Sequence, residues 1–411
     1  MDSNFQNSGA VERGRTRPHD LTDEKDDGGG EVTFRRRLEH FTWLWFACTM
    51  STGALAVVLA STPNRFSGLD TIAKLFFITD LVLFVAFTIM IMIRFALAPY
   101  KLASSLHHPV EGLFFGTFWV SVSLILNCTQ LLGVSSCGPW LVKALEIVFW
   151  IYCAIVLLVA IFQYYIFFQN ERLSVADAVP AWIFPIYPLL VVGSMAGNII
   201  QTQPEHAAYP MWVGAVMLQG LAWIVSLMMY SVYTQRLMTS KLPSPPTRPG
   251  MFVSVGPAGY TTAGLVSLGL LAPKIVPVDA FNIKTIPAGD FAEVMGIISG
   301  TFVILFAFWF CCISSVAVIM GIKRMTFTLN WWALIFPNAG LTLGAIQLGK
   351  AYKSPGINGI CSALTIILVV LWLITAVAHV KAIWKGTILW PGKDEDVPMR
   401  PSERNQRAYS D

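Results

Sequence analysis

Charged residues are scarce in this chain of 411 residues. Only 13% of the residues are Asp, Glu, Lys or Arg, whereas 55% are hydrophobic. A soluble domain carries about 25% charged residues, so this chain has too few ionisable side chains to cover a water-soluble surface. The composition therefore predicts a membrane protein. The net charge of +4 is no sign of a nucleic-acid partner.

Catalytic and metal-binding motifs are also missing. The chain has no HExxH, GxSxG or Walker loop, and its six histidines have no metal-ligand spacing beyond the adjacent pair His107 and His108. Its polar groups are scattered along the chain, whereas a membrane enzyme needs them gathered at one depth. We therefore expect no enzyme, no cofactor and no metal. A membrane enzyme or a non-transporting sensor remains the alternative from another class.

Cysteine usage excludes a CxxC redox or zinc motif, because none of the seven cysteines has that spacing. Cys137 and Cys361 both fall at the predicted outer face. Their spacing alone does not decide whether they form a disulfide. The N-terminal segment has acidic residues and no secretory apolar region. We expect disordered cytosolic tails over residues 1–39 and 387–411, around a transporter domain at 40–386.

Long apolar runs, in contrast, fill the middle of the chain. A transmembrane helix needs about 20 mostly apolar residues, and ten runs satisfy this: 41–60, 69–95, 111–132, 142–168, 179–200, 209–233, 250–271, 291–321, 327–348 and 357–383. Ten spans place both termini on one side. With that side cytosolic, fourteen basic residues flank inner span ends and seven flank outer ends, as the positive-inside rule predicts.

The odd-numbered spans follow a regular pattern. They begin at residues 41, 111, 179, 250 and 327, so the steps are 70, 68, 71 and 77 residues, which suggests a helical hairpin repeated five times. Prolines deep inside spans occur only in odd ones, at Pro185, Pro188, Pro257 and Pro337. Broken helices need protein or water partners. We therefore predict ten helices as five hairpins, with kinked odd helices inside around a central pore and even helices outside.

Phe336 directly precedes one of these prolines. It is either an ordinary packing residue beside a tolerated kink, or an aromatic plug that Pro337 turns into the lumen. A hydrophobic constriction of the second kind gates ion pathways by dewetting. The residues themselves leave both interpretations open.

Four stretches carry a family resemblance: HFTWLWFACTMSTG at 40–53, HHP at 107–109, RPGMFVSVGPAGYT at 248–261 and NWWALIFP at 330–337. The chain resembles the tellurite-resistance/dicarboxylate transporter family, which is voltage-dependent anion channel-like, and within it the fungal malic acid transport branch. The resemblance implies five hairpins around a pore, a homotrimer, and a pore phenylalanine matching Phe336. It also implies transport of C4-dicarboxylates such as malate across the plasma membrane. Export of sulfite or another small inorganic anion is the alternative, since sulfite exporters and plant slow anion channels are related.

A path for anions needs a positive electrostatic potential, but no charge that binds the anion too tightly to release it. Helix N-termini supply it, and broken transporter helices aim such ends at anions. Arg248 opens the seventh span, where it either attracts dicarboxylate or serves as an interface anchor. The other candidate path residues are small or hydroxylated: Ser51, Thr52, Gly53, Ser254, Gly256, Pro257 and Thr261. The same residues would also allow close helix packing.

Acids at membrane depth are the last candidates. Intramembrane carboxylates are functional hypotheses by default, so Asp80, Glu146 and Glu293 either carry a proton or form structural pairs. His108 titrates near neutral pH in principle, but a helix-entry role is the plainer interpretation. Since all three acids lie in even spans, structural pairing is the favoured expectation.

Overall fold

The structure is a computed structural model that describes residues 37–38, 40–169, 173–282 and 285–389. Regular structure in these ranges is helical, which confirms the all-α prediction. Twelve α-helices are labelled in chain order: α1 (Phe46–Ser61), α2 (Leu69–Leu97), α3 (Tyr100–His107), α4 (Phe115–Cys128), α5 (Pro139–Gln169), α6 (Tyr187–Leu190), α7 (Val192–Ile199), α8 (Glu205–Thr239), α9 (Gly256–Ile275), α10 (Ala288–Gly321), α11 (Phe336–Ala351) and α12 (Pro355–Trp384).

The predicted tails lie almost wholly outside the described residues, which exclude 1–36 and 390–411. Where the described chain begins and ends, it packs against the helical body. Leu38, Ile388 and Leu389 are all buried.

Eight helical segments of the described chain are long and apolar enough to cross a membrane: Trp43–Ser61, Leu69–Leu97, Glu111–Ser136, Pro139–Gln169, Glu205–Thr239, Pro245–Ile275, Ala288–Arg324 and Pro355–Trp384. These match eight of the ten predicted spans. The fifth and ninth fall short because each is divided into shorter helical pieces. The fifth comprises Pro180–Ile183, α6, α7 and Ile200–Thr202, and the ninth comprises Leu329–Leu334 and α11.

The prolines within the fifth, seventh and ninth spans correct the expectation of kinked helices. Pro188, Pro257 and Pro337 each stand in the first turn of an α-helix, rather than kinking a continuous helix. Proline suits that position, since the missing N–H would lack an intrahelical partner anyway and the fixed φ matches the helix. Each proline therefore marks where an α-helix begins inside the span.

A short 3₁₀ segment precedes the α-helix in every odd span. These segments are Trp43–Trp45, Glu111–Phe114, Pro180–Ile183, Pro245–Val255 and Leu329–Leu334. Among the long even helices, α2, α10 and α12 have no 3₁₀ segment just before them, whereas Val134–Ser136 and Ile200–Thr202 end shortly before α5 and α8. The fivefold pattern in sequence spacing is thus matched by a pattern in local structure.

Burial differs between the two sets of spans. The most apolar window is 89%, 61% and 83% buried in Trp43–Ser61, Glu111–Ser136 and Pro245–Ile275. In the five even spans the buried share is 17–33%. Because four of the five poorly buried helices are also the most apolar, and the fifth, Glu205–Thr239, still passes as a membrane span, their exposed faces suit lipid rather than water.

Contacts between helices follow a cyclic order. Helix α1 packs against α4, α4 against α7, α7 against α9, α9 against α11, and α11 returns to α1. Each long even helix packs against one or two of these helices: α2 on α1, α5 on α4 and α7, α8 on α7 and α9, α10 on α9 and α11, and α12 on α11 and α1.

Candidate functional site

The ring of Phe336 is fully buried between two tyrosine rings. It stacks on Tyr260 with 4.9 Å between ring centroids and 24° between planes, and it meets Tyr187 at 5.1 Å and 55°. Such offset aromatic pairs contribute about 0.5–1.5 kcal/mol each beyond their buried area. The three rings come from the first residues of α11 and α6 and from the first turns of α9.

The tyrosine hydroxyls make only long hydrogen bonds. Tyr260 Oη donates to the Phe336 carbonyl at 3.4 Å, and Tyr187 Oη donates to the Val253 carbonyl at 3.5 Å. These lengths exceed the 2.5–3.0 Å typical of O–H donors. Both donors are therefore weakly held next to the Phe336 ring.

Glycines let the helix starts approach one another here. The position of a Cβ on Gly256 is occupied by the Tyr187 hydroxyl, and lies 3.3 Å from the Pro337 Cα. Gly340 lies against the Tyr260 ring in the same way, 2.6 Å from a would-be Cβ. The N-termini of α6, α9 and α11 thus converge at Phe336. The dipoles of the two longer helices, α9 and α11, place partial positive charge there.

A small cavity of about 10 Å³ lies beside Pro337. That volume holds at most about one water molecule. All five odd spans contribute to its lining, which is apolar except for Asn330: Leu44, Ala47, Met50, Phe114, Phe184, Val253, Leu329, Asn330, Ala333 and Pro337. The place where the five spans meet is therefore narrow and dry.

A larger groove of about 550 Å³ lies between α8 and α10, and includes Leu227, Met238 and Phe306. It opens on the poorly buried even helices and receives no residue from an odd span. Its position separates it from the convergence at Phe336.

The predicted path residues of α1 point in three directions. Ser51 Oγ donates to the Trp332 carbonyl at 2.9 Å, and Thr52 Oγ1 accepts from Trp372 Nε1 at 3.0 Å. Gly53 faces Asp80 of α2. The three residues lie inside the continuous helix α1, so their amides are not at a helix start. They fasten α1 to three neighbours.

In the seventh span, Ser254 and Thr261 are buried and satisfied. Ser254 Oγ donates to the Met251 carbonyl at 2.6 Å, and Thr261 Oγ1 accepts from Gln219 Nε2 at 2.9 Å. Gln219 also accepts from the Gly193 amide at 3.2 Å, so it joins α7, α8 and α9. Sequence analysis missed Gln219, although a glutamine inside an apolar run is itself a signal.

Arg248 is half-buried, and its guanidinium faces backbone carbonyls. Nε donates to Pro243 at 3.1 Å and Nη1 donates to Ala317 at 3.0 Å. Ala317 lies in the last turns of α10, where a cation also complements the helix dipole. These contacts are those of an anchor between the Pro245–Val255 segment and α10.

The four titratable candidates occupy different surroundings. Glu146 lies 2.9 Å from Lys143 in an ion pair. His108 Nδ1 accepts from the Glu111 amide at 3.1 Å, which is the helix-entry role. Glu293 is partly buried on α10 and forms no ion pair within the described ranges. Asp80 is fully buried, and neither carboxyl oxygen has a hydrogen-bond partner among the described residues.

Arg94 and Glu111 form a buried ion pair with both side chains 5% exposed. Two Arg94 nitrogens reach the two carboxylate oxygens, and Nη1 also donates to the Phe41 carbonyl at 2.9 Å. The pair ties α2 to the starts of the first and third spans. Sequence analysis did not pair Arg94 with Glu111.

Cys137 and Cys361 are both free thiols. Cys137 is exposed, and Cys361 is buried within α12. Within the described part of the chain, no group of three or more His, Cys, Asp or Glu side chains is arranged to hold a metal ion.

Fold and site together define a multi-pass helical membrane protein in which the starts of α6, α9 and α11 meet at a buried aromatic cluster. The sequence matches the family described as voltage-dependent anion channel over residues 40–380, and the chain belongs to this family. It is a membrane anion transporter and not an enzyme, which confirms that expectation from the sequence.

Relatives of this chain are named for the transport of two different substrates, malic acid and sulfite. The chain is 32% identical to the malic acid transport protein of Schizosaccharomyces pombe over 90% of this chain and 85% of that protein. A putative malic acid transport protein of the same yeast is 29% identical over 93% and 89% of the two chains. The sulfite efflux pump SSU1 of Arthroderma benhamiae is 27% identical over 80% and 87%.

Proposed function

We propose that this protein carries C4-dicarboxylate anions such as malate across the membrane along a central path that the Phe336 ring closes. The observation that carries this proposal is the convergence of three helix N-termini on one buried aromatic ring. Positive helix ends attract a carboxylate without a fixed charge that would trap it. The ring and the dry cavity beside it oppose ion passage until they widen.

The ten-helix arrangement belongs to the same proposal. Five hairpins surround the path, with odd helices inside and even helices facing lipid. The cyclic packing of α1, α4, α7, α9 and α11 supports this, and so does the contrast in burial between odd and even spans. A path on the axis would be lined by all five odd spans, as the small cavity is.

The malic acid transport relatives favour a dicarboxylate substrate, since both match at least 90% of this chain. Sulfite export is the second candidate, because a sulfite efflux pump matches 80% of it. Both substrates are compact anions that the same positive helix ends would attract. Geometry at Phe336 does not separate them, so the choice rests on a flux measurement.

The test uses the full chain reconstituted in vesicles that contain no other transporter. Uptake of radiolabelled malate is measured against competing succinate or sulfite at fixed pH and membrane potential. Competition by succinate well above that by sulfite is the expected result. Preferential transport of sulfite would replace the first candidate by the second, and no anion flux at all would overturn both.

Orientation and assembly are further parts of the proposal. We place both termini in the cytosol and the protein in the plasma membrane as a homotrimer. Cys137 is an exposed thiol that this orientation puts outside. A membrane-impermeant maleimide should label intact cells at Cys137 and not in Cys137→Ser, and native mass measurement should give three chains. Labelling only after permeabilisation would mean that Cys137 faces the cytosol, which contradicts the proposed orientation.

A further inference from the structure

Asp80 lies on a helix that otherwise turns most of its surface outward. The apolar window of α2 is only 17% buried. Its buried stripe is Leu69, Ala73, Asp80, Phe87, Ile91 and Arg94. Arg94 has a carboxylate partner in Glu111, whereas Asp80 has none among the described residues. A buried carboxyl without a described partner thus stands between the apolar residues Ala73 and Phe87 of this stripe.

The Asp80 carboxyl rests against the backbone of α1. A Cβ built on Gly53 would lie 2.7 Å from Asp80 Oδ2 and 3.1 Å from the Leu124 Cβ. Only a glycine leaves room for the carboxyl between α1, α2 and α4. Any group that needs more space at Asp80, including hydrating water, must therefore move α1 away.

The titratable side chains next to Asp80 on the neighbouring helices are thiols. Helix α1 contributes Cys48 and helix α4 contributes Cys128, both buried, and Cys128 Sγ donates to the Gly53 carbonyl at 3.6 Å. On α2 itself, Lys74 lies six positions before Asp80 and is exposed, and Arg94 lies fourteen positions after it, roughly 21 Å away. No buried cation of α2 is thus close enough to offset a charge on Asp80.

These surroundings select a proton over any metal cation. An isolated ionised carboxylate in apolar surroundings is so costly that the group neutralises instead. Metal cations such as Ca²⁺ or Mg²⁺ take about six or more oxygen ligands, whereas no group of three or more His, Cys, Asp or Glu side chains that could hold a metal occurs in the described ranges. The carboxyl that fits this space is the protonated acid.

We propose that Asp80 is a proton-binding site whose occupancy holds the central path closed. Release of the proton to water leaves a carboxylate and changes no other bond. Hydration of that carboxylate separates α1 from α2 at Gly53. Because Ser51 of α1 is hydrogen-bonded to the Trp332 carbonyl, four residues before Phe336, the movement reaches the ring.

The direction of the pH effect follows from the linkage between proton binding and opening. Protons bind the closed form more tightly than the open form, so raising the pH favours opening, and opening favours proton release. This inference rests on the proposed gate at Phe336 but not on which anion passes. Asp80→Asn keeps the shape of the protonated acid and removes its titration.

Two measurements test the inference without any flux. Infrared spectra of the reconstituted full chain should show a protonated carboxylic-acid band that disappears as pH rises and is missing in Asp80→Asn. Hydrogen–deuterium exchange over 46–61 should be at least about fivefold faster in the wild type than in Asp80→Asn at high pH, and equal at low pH. The factor is the lower end of typical coupling. Comparison at each pH cancels intrinsic exchange rates.

Anion flux supplies a third readout. Wild-type malate flux should rise with pH, Asp80→Asn should be low and flat, and Glu146→Gln should follow the wild type because that acid pairs with Lys143 near the surface. A missing infrared band, equal exchange at every pH, or an unchanged flux profile in Asp80→Asn would overturn the inference. If no variant transports any anion, the proposed function fails, and the infrared and exchange results still decide the proton site. If Asp80→Asn does not fold, Gly53→Ala provides the second route, since its methyl group must displace the carboxyl and should mimic opening.

Discussion

Removal of the Phe336 ring is the most direct test of the proposed path. The ring is fully buried, stacks on Tyr260 and meets Tyr187. Phe336→Ala should therefore destabilise the protein by about 3–5 kcal/mol, as for other buried phenylalanines. The two lost aromatic contacts supply about 1–3 kcal/mol of that total. Stability alone says nothing about gating, because a packed core ring would cost the same.

Flux per folded molecule separates the two roles. The cavity beside Pro337 is about 10 Å³, and loss of the ring joins to it enough space for water to enter. If the ring contributes only about 1.4 kcal/mol to the barrier, Phe336→Ala raises basal anion flux about tenfold. Phe336→Leu should lie between, since it keeps apolar bulk without the flat ring.

Phe310→Ala is the matched control. Phe310 is also buried and stacks on a tyrosine, Tyr230, with centroids 5.0 Å apart, but it lies on α10 outside the cavity lining. It should lose similar stability with no gain in flux. The assay is vesicle anion flux normalised to the folded protein measured by size-exclusion fluorescence. Equal or lower flux in Phe336→Ala than in wild type refutes the plug.

Three further predictions concern packing. Pro337→Ala should change stability by less than about 1 kcal/mol in a thermal-shift assay, because the proline sits at a helix start; a gain of about 3 kcal/mol would instead indicate a proline that kinks a continuous helix. Gly256→Ala should destabilise by about 1–3 kcal/mol, because a tyrosine hydroxyl occupies that space, whereas Gly220→Ala, with open space around it, should be neutral or slightly stabilising. Glu111→Gln should cost about 3–5 kcal/mol in chemical denaturation, since it leaves the Arg94 charge buried without its partner; a loss below about 1 kcal/mol would mean that the pair behaves as an exposed one.

The sequence alone was enough for the class of protein. A shortage of charge and ten long apolar runs predict membrane helices, because lipid accepts only segments that satisfy their own backbone. The fivefold spacing also had a structural counterpart in the 3₁₀ segment before each odd α-helix. Phe336 was singled out because a proline follows it, and the structure buries it between two tyrosines.

Only the tertiary structure shows what a proline does within its span. Proline is compatible with a kink and with a helix start, and only the chain before it decides between them. In the fifth, seventh and ninth spans that chain is largely 3₁₀. The helices therefore begin at the centre of the protein instead of bending there, which brings their N-termini together.

The direction of each polar side chain was likewise decided by packing. Ser51, Thr52 and Gly53 are adjacent in sequence, yet successive residues of a helix point about 100° apart, so each meets a different neighbour. Helix α2 has apolar residues on every face besides its few polar ones, so no periodicity in it marks an inward side. Burial of Asp80 against Gly53 arises from the contact between α1 and α2. Contacts between distant segments leave no local signal in an all-apolar run, which is why only the tertiary structure places that carboxyl.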